Sequence, residues 1–180
     1  TLSIATGRTL TAKGSMSGLN ATGTISGAGT ITFTDTTTGI PTGTTGTLSS
    51  IVRFDATTAN VPVAAIIART YGGDLEFYTN RSATSNAWTP AAGTYNVTGN
   101  FKIITGAAVV LVPTFLATTA TVTMNITGNL TYTKGGSATP TITSGAGVWT
   151  VTGNVVFTNG FYTATTSNTL LMNGSSNLVG

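Results

Sequence analysis

Four segments of this 180-residue chain share one pattern: a glycine, a small polar residue, then apolar, any, apolar. They are Gly73-Asp74-Leu75-Glu76-Phe77, Gly99-Asn100-Phe101-Lys102-Ile103, Gly128-Asn129-Leu130-Thr131-Tyr132 and Gly153-Asn154-Val155-Val156-Phe157. Gly29-Thr30-Ile31-Thr32-Phe33 fits as well, and a weaker copy lies around Ser50 to Phe54, with Val52 and Phe54 in the apolar places. Recurrence of this kind at a period of roughly 25 to 29 residues marks an architecture of stacked units, each too small to bury its own apolar face.

The residues before each glycine repeat too. Tyr95-Asn96-Val97-Thr98, Met124-Asn125-Ile126-Thr127 and Trp149-Thr150-Val151-Thr152 alternate large apolar with small polar side chains. Alternation at period two puts one side of a strand in the core and the other in water, so each unit contributes at least two strand arms around a glycine corner. Prolines recur about once per unit, at Pro41, Pro62, Pro90, Pro113 and Pro140, where a corner tolerates them and a ladder does not. Thr favours strands, Gly punctuates them, and strong helix formers are scarce, so no helix is expected.

The expected fold is therefore all-β: a single parallel β-solenoid over residues 1–180, of about six to seven irregular coils. The rival is a β-sandwich of jelly-roll or Ig-like type, which would pair neighbouring strands antiparallel. In a solenoid Leu75, Phe101, Leu130 and Val155 stack in one interior column and Phe77, Ile103, Tyr132 and Phe157 in the next. Each such buried side chain contributes roughly 1.5–3 kcal/mol. The same register sets Glu76 beside Lys102 on the outside, both pointing to solvent. It also lines up Asp74, Asn100, Asn129 and Asn154 as a polar ladder at the corner, each amide bonding to the coil above or below; the simpler account is a shared turn preference of Asn and Gly.

The ends read as mutually stackable. A glycine placed before Thr1-Leu2-Ser3-Ile4 completes the template, so Leu2, Ile4 and Leu178 are the expected assembly residues. This implies either head-to-tail assembly of subunits or a stretch cut from a longer tandem array, because an uncovered terminal coil invites strand addition. The chain starts without a basic-then-apolar leader, as expected of a processed chain or a piece of a longer one.

Chemistry is sparsely provided for. There is no His and no Cys, which removes His-based acid–base catalysis and the usual His and thiolate metal sites. The acidic residues are Asp35, Asp55, Asp74 and Glu76; Asp74 with Glu76 is the one close pair a glycoside hydrolase could use, and it sits at a corner and beside a lysine. No enzyme, cofactor or metal is expected. The net charge of +3 comes from scattered residues, which does not suit a phosphate backbone. The longest apolar run, Ala107 to Ala117, is too short to span a bilayer.

Sequons occur at Asn20, Asn80, Asn96, Asn125, Asn129 and Asn173; Asn20, Asn80 and Asn173, in predicted turns, are the preferred acceptors, although a chain so rich in Thr and Asn generates sequons by chance. Thr-x-Thr pairs such as Thr121/Thr123 and Thr150/Thr152 resemble the threonine faces of ice-binding proteins. Unequal coil lengths are expected to spoil such a lattice. Tyr78, Trp88, Phe161 and Tyr162 are candidate outward aromatics for a glycan-binding module, with Trp88 better explained as a plug at a corner.

At whole-chain level the Gly-, Thr- and Asn-rich coils resemble the passenger repeats of bacterial surface adhesins, autotransporter-like proteins and other secreted β-helical proteins. The resemblance implies an extracellular or cell-surface location and a structural or adhesive role. Its partners would be further copies of the chain, or glycans, and it transfers no binding residues.

Overall fold

A computed structural model of the chain describes residues 1–13, 24–34, 48–58, 66–82, 86–109, 114–116, 121–137, 141–158, 161–163, 169–173 and 178–179. Every strand pairing among them is parallel, and each joins residues about one coil apart in sequence. The protein is a parallel β-solenoid, all-β, with no helix among the described residues. The antiparallel sandwich is excluded by these pairings.

From Thr70 onward each turn visits three faces in a fixed order. In one such turn β9 (Gly93–Val97) lies on the first face, β10 (Phe101–Thr105) on the second and β11 (Thr114–Leu116) on the third. The second face is the spine, an eight-stranded sheet from β2 (Thr9–Ala12) to β19 (Leu178–Val179). The first face carries a five-stranded sheet from β6 (Thr70–Tyr71) to β18 (Thr169–Met172), and the third a four-stranded one. Turns number about five, against the six to seven expected. Toward the N-terminus the described first face consists of the two-residue pair of β1 (Leu2–Ser3) with β3 (Ile25–Ser26) and single bridges through Leu48.

Stacking is residue for residue along the spine. Leu75, Phe101, Leu130 and Val155 are successive partners, as are Phe77, Ile103, Tyr132 and Phe157. The first column continues through Val52, Ile31 and Leu10 at one end and Leu178 at the other. All but Phe157 of the eight expected core residues are buried; Phe157 packs against the core from a half-buried position.

Large side chains decide how the interior is filled. Phe33, Phe54 and Phe77 stack ring on ring at 5.6 Å per step. Beyond Phe77 the rings instead meet edge to face across the interior. Phe115, from the third face, lies 4.8 Å from Phe77 and 5.6 Å from Phe101, and Trp149, from the first face, lies 5.5 Å from Phe101. Aromatic pairs prefer such offset or edge-on contacts, and here they tie all three faces together.

Glycine at the corner between the first and second faces is a matter of room. A Cβ at Gly128 would stand 2.5 Å from the carbonyl oxygen of Gly99, and one at Gly153 equally close to that of Gly128. The backbone of each turn rests directly on the next, and no side chain fits between.

Candidate functional site: corner ladder, charged cluster and open ends

The corner holds a continuous ladder. The Asp74 carboxylate accepts the Asn100 backbone N–H at 2.7 Å and its side-chain N–H at 3.0 Å. Asn100 Oδ1 then accepts the Asn129 backbone N–H at 2.9 Å, and Asn129 Oδ1 that of Asn154 at 2.8 Å. Each side-chain oxygen thus satisfies a backbone donor of the following turn, which a shared turn preference alone does not require. Burial works against the ionised form of Asp74, but the Asn100 N–H and the Lys102 ammonium outweigh it and hold the carboxyl below its ordinary range. Lys102, in turn, is raised: its own burial is outweighed by Asp74 and Glu76.

One step outward on the spine lies a charged cluster. Glu76 is the direct neighbour of both Arg53 and Lys102. Arg53 donates to Glu76 Oε2 from Nε at 2.9 Å and from Nη2 at 2.7 Å, and Lys102 Nζ reaches Glu76 Oε1 at 3.2 Å while also pairing with Asp74. The Arg53 guanidinium sits 5.3 Å over the Tyr78 ring. Glu76 is beside Lys102 as expected, but the expectation that it points freely to solvent is overturned: only 4% of it is exposed, because cations on both adjoining strands close over it. Both carboxylates of the one close acidic pair are thereby committed to cations, and among the described residues no group of His, Cys, Asp and Glu could hold a metal ion. Arg53 is the member that sequence reasoning missed. The signal was available, since Arg53 stands between Val52 and Phe54 where Glu76 stands between Leu75 and Phe77.

The expected glycan acceptors fall apart structurally. Asn20 lies outside the described residues. Asn80 is half-buried, and its Oδ1 accepts the Ala108 N–H of the next turn at 2.9 Å, so it staples the stack. Asn173 is exposed. Of the outward aromatics, Trp88 is buried, its Nε1–H donating to the Phe54 carbonyl at 3.1 Å, which makes it a plug. Tyr78 remains partly exposed beneath Arg53; the side chains of Phe161 and Tyr162 lie outside the described residues, as do all the prolines except the buried Pro90.

The outer side of the first face is ordered differently. Three outward columns run through it: Thr94, Thr123, Val148 and Thr169; then Asn96, Asn125, Thr150 and Leu171. Backbone hydrogen bonds carry the register on through a third, Thr98, Thr127, Thr152 and Asn173. None of these positions is charged.

At the ends the register differs from expectation. Leu2 pairs with Ile25, and Leu10 takes the template place at the head of the spine. Leu2 and Ile4 therefore belong to the arm before the corner, which is longer in this first turn and hides where the template starts; Ile4 is buried and its N–H donates to Ser26 O at 2.9 Å. Leu178 follows Val155 in the spine column. Among the described residues four large apolar side chains are prominently exposed, and three of them sit in terminal strands: Leu10 at 38%, Leu171 at 45% and Met172 at 36%. Leu10 and Met172 occupy interior columns, each in the outermost described strand of its sheet.

No protein-family model, curated protein or solved structure matches the chain. Among the described residues no helix is long and apolar enough to cross a membrane.

Proposed function

We propose that the chain is a structural, non-catalytic subunit that stacks head to tail on further copies of itself, as part of an extracellular filament, surface layer or adhesin stalk. One observation carries this reading: in the outermost strand of each end one interior-column residue is more than a third exposed, Leu10 at 38% and Met172 at 36%. Terminal parallel strands also present a row of backbone donors and acceptors, and such edges recruit further strands. Continuing the observed register sets Leu2 of the next copy against Met172, and Leu10 against Leu178. Low charge and many hydroxyls suit a fibre outside the cell.

The chain lacks cysteine, so introduced cysteines report cleanly. Ser3 and Asn173 stand in one column at opposite ends of the stack. They are far beyond disulfide reach within one molecule, whereas neighbouring parallel strands about 4.8 Å apart lie within it. A Ser3→Cys, Asn173→Cys double variant is expected to give a ladder of covalent oligomers on mild oxidation, with filaments in negative stain. A protein that stays monomeric in sedimentation at high concentration, and forms no ladder, overturns the reading.

A further inference from the structure

The first face poses a question that end-to-end assembly leaves open. Its outward columns keep register over four turns without a bulge, although successive turns differ in length, with 29 residues from Asn100 to Asn129 and 25 from Asn129 to Asn154. The irregularity is taken up elsewhere in each turn. The lattice that unequal coils were expected to spoil is intact on this face.

What could engage it follows from its chemistry. The positions are mostly Thr, with Asn and two apolar residues, Val148 and Leu171, themselves 41% and 45% exposed. The charged cluster lies on the spine instead. A soluble glycan is held in a concave site with converging polar groups, and this face is a sheet surface. Flat crystalline polysaccharide calls for aromatic platforms, yet Tyr95 and Trp149 of these strands are turned wholly inward. A second copy laid face to face would cover only about 300 Å² per partner, from four strands about 4.8 Å apart and roughly 16 Å long, against the roughly 800 Å² of a stable complex.

A neutral surface of hydroxyls and methyls, repeating about every 4.8 Å across strands and every 6.6 Å along them, has a different natural counterpart. Hydroxyls and amides anchor water by hydrogen bonds, the methyls exclude it from the spaces between, and the repeat makes the anchored layer periodic. The Asn125 side chain already donates to Asn96 Oδ1 at 2.8 Å, fixing the amide row in one orientation. We infer that the outer side of the first face, built on β9, β12 (Val122–Ile126), β15 (Val148–Val151) and β18, is an ice-binding surface that joins a growing ice lattice through this ordered water.

The test uses the whole chain and ice itself. The protein is expected to lower the freezing point of a dilute solution without moving the melting point, and to shape ice crystals into facets. Thr127→Lys and Thr152→Lys, at exposed positions, are each expected to cut the freezing-point gap at least tenfold. Thr133→Lys, at an exposed position of the spine, is expected to leave it unchanged, and circular dichroism melting separates loss of the surface from loss of the fold. No gap for the unmodified protein overturns the inference, as does equal loss in all three folded variants, or pelleting with crystalline cellulose in place of ice. None of these outcomes bears on the cysteine ladder, so the two proposals fail separately.

Discussion

The N-terminal turns and the turns after Tyr71 solve the same packing problem with different means. Before Tyr71 the described residues are dominated by the spine: five-residue strands at Thr30–Thr34 and Ile51–Asp55, a stack of phenylalanines inside, and a first face of two-residue strands and single bridges. After it, all three faces carry strands, and Phe77, Phe101, Phe115 and Trp149 interlock at the centre. A parallel ladder persists wherever one alternating strand stacks on its like. A closed turn needs side chains large enough to meet in the middle.

The comparison is broken or sharpened most strongly at those rings. Phe101→Ala is expected to cost about 3–5 kcal/mol, the usual loss for a fully buried aromatic. Phe33→Ala is expected to cost less globally and to open only the first turns. Urea unfolding followed by native-state hydrogen exchange measures both, and equal costs with equally spread loss of protection would erase the distinction.

The corners give the next effect. Gly128→Ala drives a methyl into the backbone of the turn above, and overpacking of this kind costs about 1–3 kcal/mol. Gly7 has open space around it but a φ of +71°, so Gly7→Ala is expected to cost only the left-handed strain of about 1 kcal/mol. Chemical denaturation should rank them in that order.

Alkali should act on the later turns. Burial raises the phenols of Tyr71, Tyr95 and Tyr132 well above their ordinary range, so the unfolded chain releases these protons first, near pH 10. Stability is unaffected below that pH and falls above it, by about 1.4 kcal/mol per pH unit for each phenol. Tyrosinate absorbance should rise together with loss of β-sheet ellipticity. Phenols that ionise gradually in a folded protein would contradict this.

The smallest effect expected is a gain. The Tyr132 hydroxyl is buried with no hydrogen-bond partner, and Tyr132→Phe should stabilise by about 1 kcal/mol, since an unmet hydroxyl is costly to bury. A loss in thermal melting would mean that the hydroxyl is satisfied in solution.

Legibility in the sequence followed the same division. The spine columns could be read because Gly, polar, apolar, any, apolar recurs with few errors, and the parallel register follows from placing like on like. The third face could not. Asn86–Trp88, Thr114–Leu116 and Thr141–Thr143 are only three residues long and share no pattern across all three, and their alignment depends on rings that reach them from the other faces. Glu76 was misjudged because alternation says only which side of the sheet a residue takes. Whether that side is wet depends on neighbours one turn away, here Arg53 and Lys102. Leu2 and Ile4 were misplaced because a stretched first corner offsets the arm from the template.

From Arg53 to Glu76, Glu76 to Lys102, Asn100 to Asn129 and Asn129 to Asn154 the coil lengths are 23, 26, 29 and 25 residues, yet the spine never slips. Where the chain keeps time and where it spends length are thus different places. Segments can be lengthened or shortened on the side away from the Asn–Gly corner while every rung stays in step, so that side is where foreign sequence could be grafted without disturbing the rest.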